Sequence, residues 1–309
     1  MGAMQPSHHG QGRVGCLTSR GASSRARLRL VLILQAFALV LSAVVAGSAN
    51  AAVESSGGFK YVTKEFTLRP GGPTTKAAPC PKRTHVLSGG HYNSGGFGDV
   101  IGAHAYPYDG DDRGKTPDDG WKAQLRGIGV PVPASVHAVC TKRVFPEYAK
   151  VTDTVLPDGQ EDLREVACDP LSLEATGGGS RGPALVREVE TWSGGDRWTV
   201  GLANHGDAVK EVTVFAVCAE VPAMTIADDS PPVTANEDQQ TLTEAECHPT
   251  TPHVIGGGFL SSGSDNTQGL AVIAATRPGP SLSSWRVWMD NHAETNPTIF
   301  ARAVCSTPL

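Results

Sequence analysis

The chain of 309 residues is predicted to be all-β, built from three disulfide-closed antiparallel repeats. Two observations lead to this prediction. After residue 51, glycine, proline, threonine and valine are plentiful and helix-forming stretches are sparse, which favours short strands joined by turns. Six cysteines also fall into three pairs, and each pair encloses a glycine cluster and a tryptophan at matching offsets.

The first 51 residues are predicted to be a secretory signal peptide. They contain five arginines and no acidic residue before an apolar run from Leu30 to Ala46, and Ala49-Asn50-Ala51 offers a small-residue cleavage site. The apolar run is close to the length of a membrane span, so an uncleaved anchor is the alternative. We expect cleavage after Ala51, a secreted extracellular product, and no membrane contact afterwards.

The charge of the exported part excludes one class of partner. Residues 52–309 keep 21 basic and 31 acidic side chains, a formal net charge of −10. Nucleic-acid binding depends on basic surfaces, so nucleic acid is not an expected partner.

The repeats are delimited by their cysteines. Residues 52–146, 147–221 and 222–309 each hold one pair, and the periodic spacing predicts the disulfides Cys80–Cys140, Cys168–Cys218 and Cys247–Cys305. A glycine cluster begins nine residues after each first cysteine, a tryptophan (Trp121, Trp198 or Trp285) stands 19 or 20 residues before the second, and Ala-Val precedes the second cysteine in all three.

The third repeat shows the predicted strands most clearly. His253 to Ile255 enter a strand that runs into the glycines, and Leu270 to Ala275 form a second strand that ends at Arg277-Pro278. Trp285 to Met289 alternate apolar and polar residues as a half-buried strand does, and Ile299 to Cys305 return as the last strand. Each repeat is therefore predicted to be a small β-meander.

Three such repeats have two possible arrangements. Connections of under thirty residues and tryptophans at equivalent places favour a pseudo-threefold, β-prism-like body with a shared core. Three small β domains in a row are the alternative.

The third repeat also resembles a known group. Its Cys247, Gly256-Gly257-Gly258, Arg277-Pro278, Trp285-Arg286-Val287, Asn291 and Ala303-Val304-Cys305 are similar to the repeat of secreted proteins from filamentous actinobacteria. The resemblance covers nearly all of residues 52–309, and it supplies no catalytic residue. The first repeat departs from the pattern with His91 in place of a third glycine, and the second lacks Arg-Pro.

Two motifs are weighed as catalytic or metal-binding. Gly178 to Gly182 match G-x-S-x-G, but the hydrolase elbow needs a following helix, and no helical pattern follows. Asp109, Asp111 and Asp112 begin like a calcium loop, yet Arg113 and Gly120 stand where ligands are required, so these residues are a weak calcium candidate. We expect no cofactor.

Aromatic residues concentrate in the first repeat. Planar rings beside carboxylates are typical of sugar recognition, and the predicted ligand-binding residues are Tyr106, Tyr108, Asp109, Asp111 and Trp121. The competing interpretation makes Trp121 a core residue that the tyrosines cover.

The favoured hypothesis is a secreted, non-catalytic binding or surface protein for a glycan, a cell-wall component or another secreted protein. One alternative is a hydrolase whose carboxylates converge only in space, with Asp99, Asp109 or Asp119 acting beside His91 or His104. The other is an inhibitor or toxin-associated module that presents the loop from Asp109 to Asp119.

Overall fold

Twenty strands account for the secondary structure that the computed structural model describes. The description covers residues 51–309 except 96–99, 111–117, 158, 171, 228 and 263–270, and it omits the side chains of residues 101–103. The predicted signal peptide lies outside it apart from Ala51. The all-β prediction is confirmed, and within the described part of the chain no helix is long and apolar enough to cross a membrane.

The strands fall into three sets that follow the predicted repeats. The first set is β1 (Ala52–Ser56), β2 (Phe59–Leu68), β3 (Pro73–Pro79), β4 (His85–Asn93), β5 (Val100–Tyr108), β6 (Gly120–Gly127) and β7 (Val132–Thr141). The second set is β8 (Glu147–Val155), β9 (Glu161–Ala167), β10 (Glu174–Arg181), β11 (Val186–Ser193), β12 (Arg197–Asn204) and β13 (Lys210–Ala219). The third set is β14 (Thr225–Ile226), β15 (Val233–Thr234), β16 (Gln239–Glu246), β17 (His253–Ser262), β18 (Ala271–Pro278), β19 (Ser284–Asn291) and β20 (Thr298–Ser306).

The strand order within a set differs from the simple meander expected from the sequence. In the first set, β2–β7–β4 form one antiparallel group and β3–β6–β5 another, and the other sets repeat this division. The two groups pack face to face: a side chain at Gly89 on β4 would overlap the ring of Trp121 on β6. This two-layer packing buries Trp121, Trp198 and Trp285 completely, whereas one flat meander would leave a face of every strand in water.

The three predicted disulfides are confirmed. Cys80–Cys140, Cys168–Cys218 and Cys247–Cys305 have Cα separations of 5.8, 5.6 and 5.7 Å, and they close loops of 60, 50 and 58 residues. In each set the bond ties the last long strand of one layer to the chain that leaves the other layer. Loops of this length are stabilised by up to about 4 kcal/mol per bond in the chain-entropy model.

Strand pairing joins the sets to one another. Tyr92 on β4 pairs with Ala275 on β18, and Thr191 on β11 pairs with Phe259 on β17, so that two sheets of seven strands each span two predicted repeats. Ala49–Leu309 accordingly form one compact unit. Shared sheets are incompatible with three independent β domains in a row.

Glycine permits the closest approach between neighbouring repeats. An added Cβ at Gly90, Gly179 or Gly258 would overlap a carbonyl oxygen of the preceding repeat, namely that of Thr276, Ala105 or Thr191 respectively. The contacts thus run in cyclic order, with repeat 1 on repeat 3, repeat 2 on repeat 1, and repeat 3 on repeat 2. The pseudo-threefold, prism-like body stays a prediction, and this recurrence supports it.

Candidate functional site

A cleft lies where the first and second repeats meet, and it gathers several of the predicted ligand-binding residues. We call it the Tyr106 cleft; its volume is about 660 Å³. One wall is formed by the ends of β5 and β6, and the other by β8, β10 and β13. The lining residues are Tyr106, Pro107, Tyr108, Asp109, Lys122, Pro146, Glu147, Tyr148, Ala149, Lys150, Arg181 and Phe215.

Aromatic rings form the apolar part of the Tyr106 cleft. Tyr106 is 8% exposed and stacks on Phe215 of the other wall, with 5.7 Å between ring centroids and 17° between ring planes. Burial raises the pKa of Tyr106, and the nearby Arg181 works against that rise. Tyr148 is anchored because its hydroxyl donates to the Val86 carbonyl at 2.9 Å. The rings are therefore fixed before any ligand arrives.

Charged side chains of both signs surround these rings. Asp109, Glu147, Lys150 and Arg181 are exposed, and the Lys122 ammonium lies 4.4 Å from the centroid of the half-buried Tyr108 ring. An ammonium over a ring face is a favourable cation–π contact, and it holds Tyr108 in place. The cleft thus combines apolar faces for stacking with carboxylates and ammonium groups for hydroxyl groups.

The structure brings together three of the five predicted ligand-binding residues. Tyr106, Tyr108 and Asp109 share the cleft. Trp121 is completely buried beneath Gly89, so its prediction as a ligand contact is wrong for a physical reason: both layers of the first repeat pack on its ring. Asp111 lies outside the described residues.

Only one of the three aspartates of the calcium candidate lies among the described residues. Asp109 is described and exposed, whereas Asp111 and Asp112 are outside the described residues. Among the residues that the structure describes, no group of three or more histidine, cysteine or acidic side chains is arranged to hold a metal ion.

The histidines of the hydrolase alternative lie in the core. His91 and His104 are each 1% exposed, and burial lowers the pKa of both to about 4. His91 contacts the Ile273 carbonyl, and neither imidazole is ion-paired with a described carboxylate. Asp119 instead accepts a hydrogen bond from the Gly110 amide at 2.6 Å, and Asp99 is not described.

A buried polar cluster, which sequence reasoning missed, lies at the same junction. Ser180 Oγ is 2.7 Å from His104 Nδ1 and donates to Glu188 Oε1 at 2.7 Å, while the Ser180 amide donates to the same carboxyl oxygen at 2.6 Å. Burial raises the pKa of Glu188 to about 7. The G-x-S-x-G match includes Ser180, but nothing in the sequence indicates that Ser180 lies beside His104 and Glu188.

The order of this cluster is not that of a serine hydrolase. In a catalytic triad the histidine takes the serine proton and the acid orients the histidine. Here the serine proton points to the carboxyl group, Ser180 is completely buried, and no substrate can reach it. Glu188 also accepts a hydrogen bond from the backbone of Ala105 on β5. Its carboxyl group therefore bridges β5 and β10 at the junction of repeats 1 and 2. At the two other junctions, neighbouring repeats are joined by strand pairing instead.

A buried acidic residue lies at the junction of repeats 2 and 3. Glu190 on β11 is 8% exposed, and burial followed by contact with Glu161 raises its pKa to about 8. Two carboxyl groups in contact share a proton because both cannot ionise cheaply. Neither residue lines the Tyr106 cleft.

Comparison with known proteins adds no assignment to this geometry. No protein-family model matches the chain, and no curated protein matches it.

Proposed function

We propose that the chain is a secreted, non-catalytic binding protein that recognises a glycan or cell-wall component through the Tyr106 cleft. The observation that carries the proposal is the convergence of Tyr106, Tyr108 and Asp109 from one repeat with Phe215 and Arg181 from the next. Three disulfides support an oxidising, extracellular location for this protein.

A sugar presents two kinds of surface to a protein, and the cleft offers a complement to each. The flat carbon–hydrogen faces of a pyranose ring pack on aromatic rings, and its hydroxyl groups bond to charged or amide side chains. Tyr108 is half-buried with the Lys122 ammonium over its ring, and Asp109 lies exposed beside it. The walls come from different repeats, but the Tyr106–Phe215 stack holds them together. A preformed site loses little entropy on binding.

The proposal is tested by sedimenting the exported protein with insoluble polysaccharides and bacterial cell walls. We expect saturable binding to at least one of these materials. Tyr108→Ala should weaken it about tenfold or more, which corresponds to about 1.4 kcal/mol, as for an aromatic anchor in an interface. Tyr106→Phe should keep the stack on Phe215, so it separates the hydroxyl contribution from folding.

Trp192 provides a matched control. It occupies the position on β11 that Tyr106 occupies on β5, one residue before the partner of the repeat tryptophan. Its junction holds Arg302, which is ion-paired with Asp229 and also donates to the Ser193 carbonyl. Trp192→Ala should therefore leave binding unchanged. Binding that Trp192→Ala reduces as much as Tyr108→Ala does would move the site away from the Tyr106 cleft, and no binding to any material would refute the glycan proposal.

A further inference from the structure

A second pocket lies where the third repeat meets the first, and it is the counterpart of the Tyr106 cleft. We call it the Arg277 pocket; its volume is about 270 Å³, and β1, β2 and β7 face β18 and β19 across it. Arg277 occupies on β18 the position that Tyr106 occupies on β5, because each stands one residue before the strand partner of its repeat's buried tryptophan. His137 occupies on β7 the position that Phe215 occupies on β13, because each stands three residues before the closing cysteine. The Arg277 guanidinium and the neutral His137 imidazole thus stand where the stacked rings of Tyr106 and Phe215 stand in the cleft.

The Arg277 guanidinium packs against two aromatic rings that also contact each other. Its central carbon is 4.5 Å from the centroid of Tyr92 and 5.4 Å from that of Trp288, and the two rings are 5.9 Å apart in an edge-on arrangement. Contacts of this kind fix the orientation of a guanidinium. A fixed guanidinium has little side-chain entropy left to lose when it binds an anion.

The charge of Arg277 is not compensated by the described residues around it. Arg286, next to it on β19, is ion-paired with Glu244 at 2.8 Å. His137 contacts Thr63 and Ser135, and burial lowers its pKa to about 3, so it is neutral. Arg277 itself forms no ion pair in the described part of the chain, and its buried Nε has no hydrogen-bond partner there.

An anion bound in the pocket would compensate the charge of Arg277. Burial lowers the pKa of Arg277; Tyr92 raises it by a smaller amount, and the Arg286 charge lowers it by a still smaller one. Glu54 is the one acidic residue among those that line the pocket, and it is exposed on β1. A partly desolvated cation without a partner is unfavourable, and an anion that enters the pocket supplies that partner.

We propose that the Arg277 pocket binds the carboxylate group of a small ligand, with Arg277 as its main contact. A guanidinium matches a planar carboxylate through two parallel hydrogen bonds, and the pocket is too small for more than about one sugar ring or one amino-acid residue. The carboxylate of an acidic sugar and that of a peptide are the two sources of this chemistry. The site is separate from the Tyr106 cleft, and it does not depend on the function proposed for that cleft.

The test uses the exported protein in a buffer without carboxylates, with D-glucuronate and N-acetylglycine as carboxylate probes and D-glucose as the neutral control. Thermal unfolding and calorimetric titration are measured for the wild type and for Arg277→Met, which keeps an apolar stem against Tyr92 and Trp288. We expect at least one carboxylate probe to bind and raise the midpoint of wild-type unfolding, with at least tenfold weaker binding to Arg277→Met. Glucose should have no effect.

Two further results make the experiment decisive. Arg277→Met removes a partly desolvated charge but also two cation–π contacts, and because these effects oppose each other the variant should unfold near the temperature of the unliganded wild type. Arg69→Met, a change of an exposed arginine outside both the Arg277 pocket and the Tyr106 cleft, should leave binding of the carboxylate probes unchanged. The proposal is overturned if neither probe binds, or if Arg277→Met binds them as the wild type does. Preference between glucuronate and N-acetylglycine identifies the source of the carboxylate.

Discussion

The three buried tryptophans differ in one hydrogen bond, and this difference predicts a stabilising substitution. Trp198 Nε1 donates to Thr191 Oγ1 at 2.7 Å, and Trp285 Nε1 donates to Thr276 Oγ1 at 2.8 Å. Ala105 occupies the equivalent place on β5, and the buried Trp121 Nε1 has no partner among the described residues. We therefore expect Ala105→Thr to supply the missing acceptor.

The magnitude follows from the cost of a buried donor without a partner. Leaving such a group unsatisfied costs about 1–3 kcal/mol, and a strand position favours threonine over alanine by a smaller amount. Added volume in a packed core offsets part of this gain. We expect a net increase of about 1 kcal/mol in the free energy of unfolding, or roughly 2–4 °C in the midpoint for a chain of this size.

Ala105→Val is the matched control, because valine has the shape of threonine without the hydroxyl group. Urea unfolding followed by tryptophan fluorescence gives the free energy for both variants. Threonine should be more stable than valine by about 1–2 kcal/mol, although valine is the more apolar residue. Thr191→Ala and Thr276→Ala should each lose about 1–3 kcal/mol. A valine variant as stable as the threonine variant would refute the reasoning.

Three further predictions follow from described contacts. Burial raises the pKa of Glu188 to about 7, so the stability that its protonated form supplies is full below pH 4.5 and is lost as the pH rises through about 7. Between pH 4.5 and 8, the free energy of unfolding of Glu188→Gln should therefore rise by up to about 3 kcal/mol relative to that of the wild type. A pH-independent difference in urea unfolding would contradict this. Asn291 is buried, its side-chain amide donates to the Ala235 and Thr295 carbonyls at 2.8 Å, and its side-chain oxygen accepts from the Ala293 amide at 3.0 Å. Asn291→Ala should lower the free energy of unfolding by about 3 kcal/mol in chemical unfolding, and a loss under about 1 kcal/mol would show that water replaces the side chain. Replacing both Cys168 and Cys218 by alanine should lower stability by up to about 4 kcal/mol in urea unfolding, measured against the wild type under oxidising conditions, and a double variant as stable as the wild type would contradict this.

The sequence was sufficient to predict the parts of the fold that recur. Cysteine spacing predicted the disulfides, and the apolar alternation around Trp285 predicted β19. The sequence could not show that the strands of one repeat divide between two layers. A pattern of alternating apolar and polar residues indicates that a strand has a buried face, but it does not indicate which strand lies beside it. The strand pairs that join repeats, such as β4 with β18, were equally hidden, since they link residues far apart in the chain.

The candidate site was predicted in part, for a similar reason. The aromatic richness of the first repeat pointed to Tyr106, Tyr108 and Asp109, which share a cleft. The other wall comes from the second repeat, and Phe215 and Arg181 carry no signal of their own in the sequence. Trp121 was assigned to the ligand surface by residue type alone, whereas its alignment with Trp198 and Trp285 indicated the core. Glu188 could not be paired with Ser180 and His104 without knowledge of which strands adjoin.

The glycine contacts between repeats also limit how the three copies can diverge. At Gly90, Gly179 and Gly258 even a methyl group would displace a neighbouring backbone, so a change there disturbs two copies at once. The equivalent strand position at the three junctions instead holds three different side chains, namely Tyr106, Trp192 and Arg277. Substitutions at these strand positions can therefore change the chemistry of each junction without disturbing the close backbone contacts made at the three glycines.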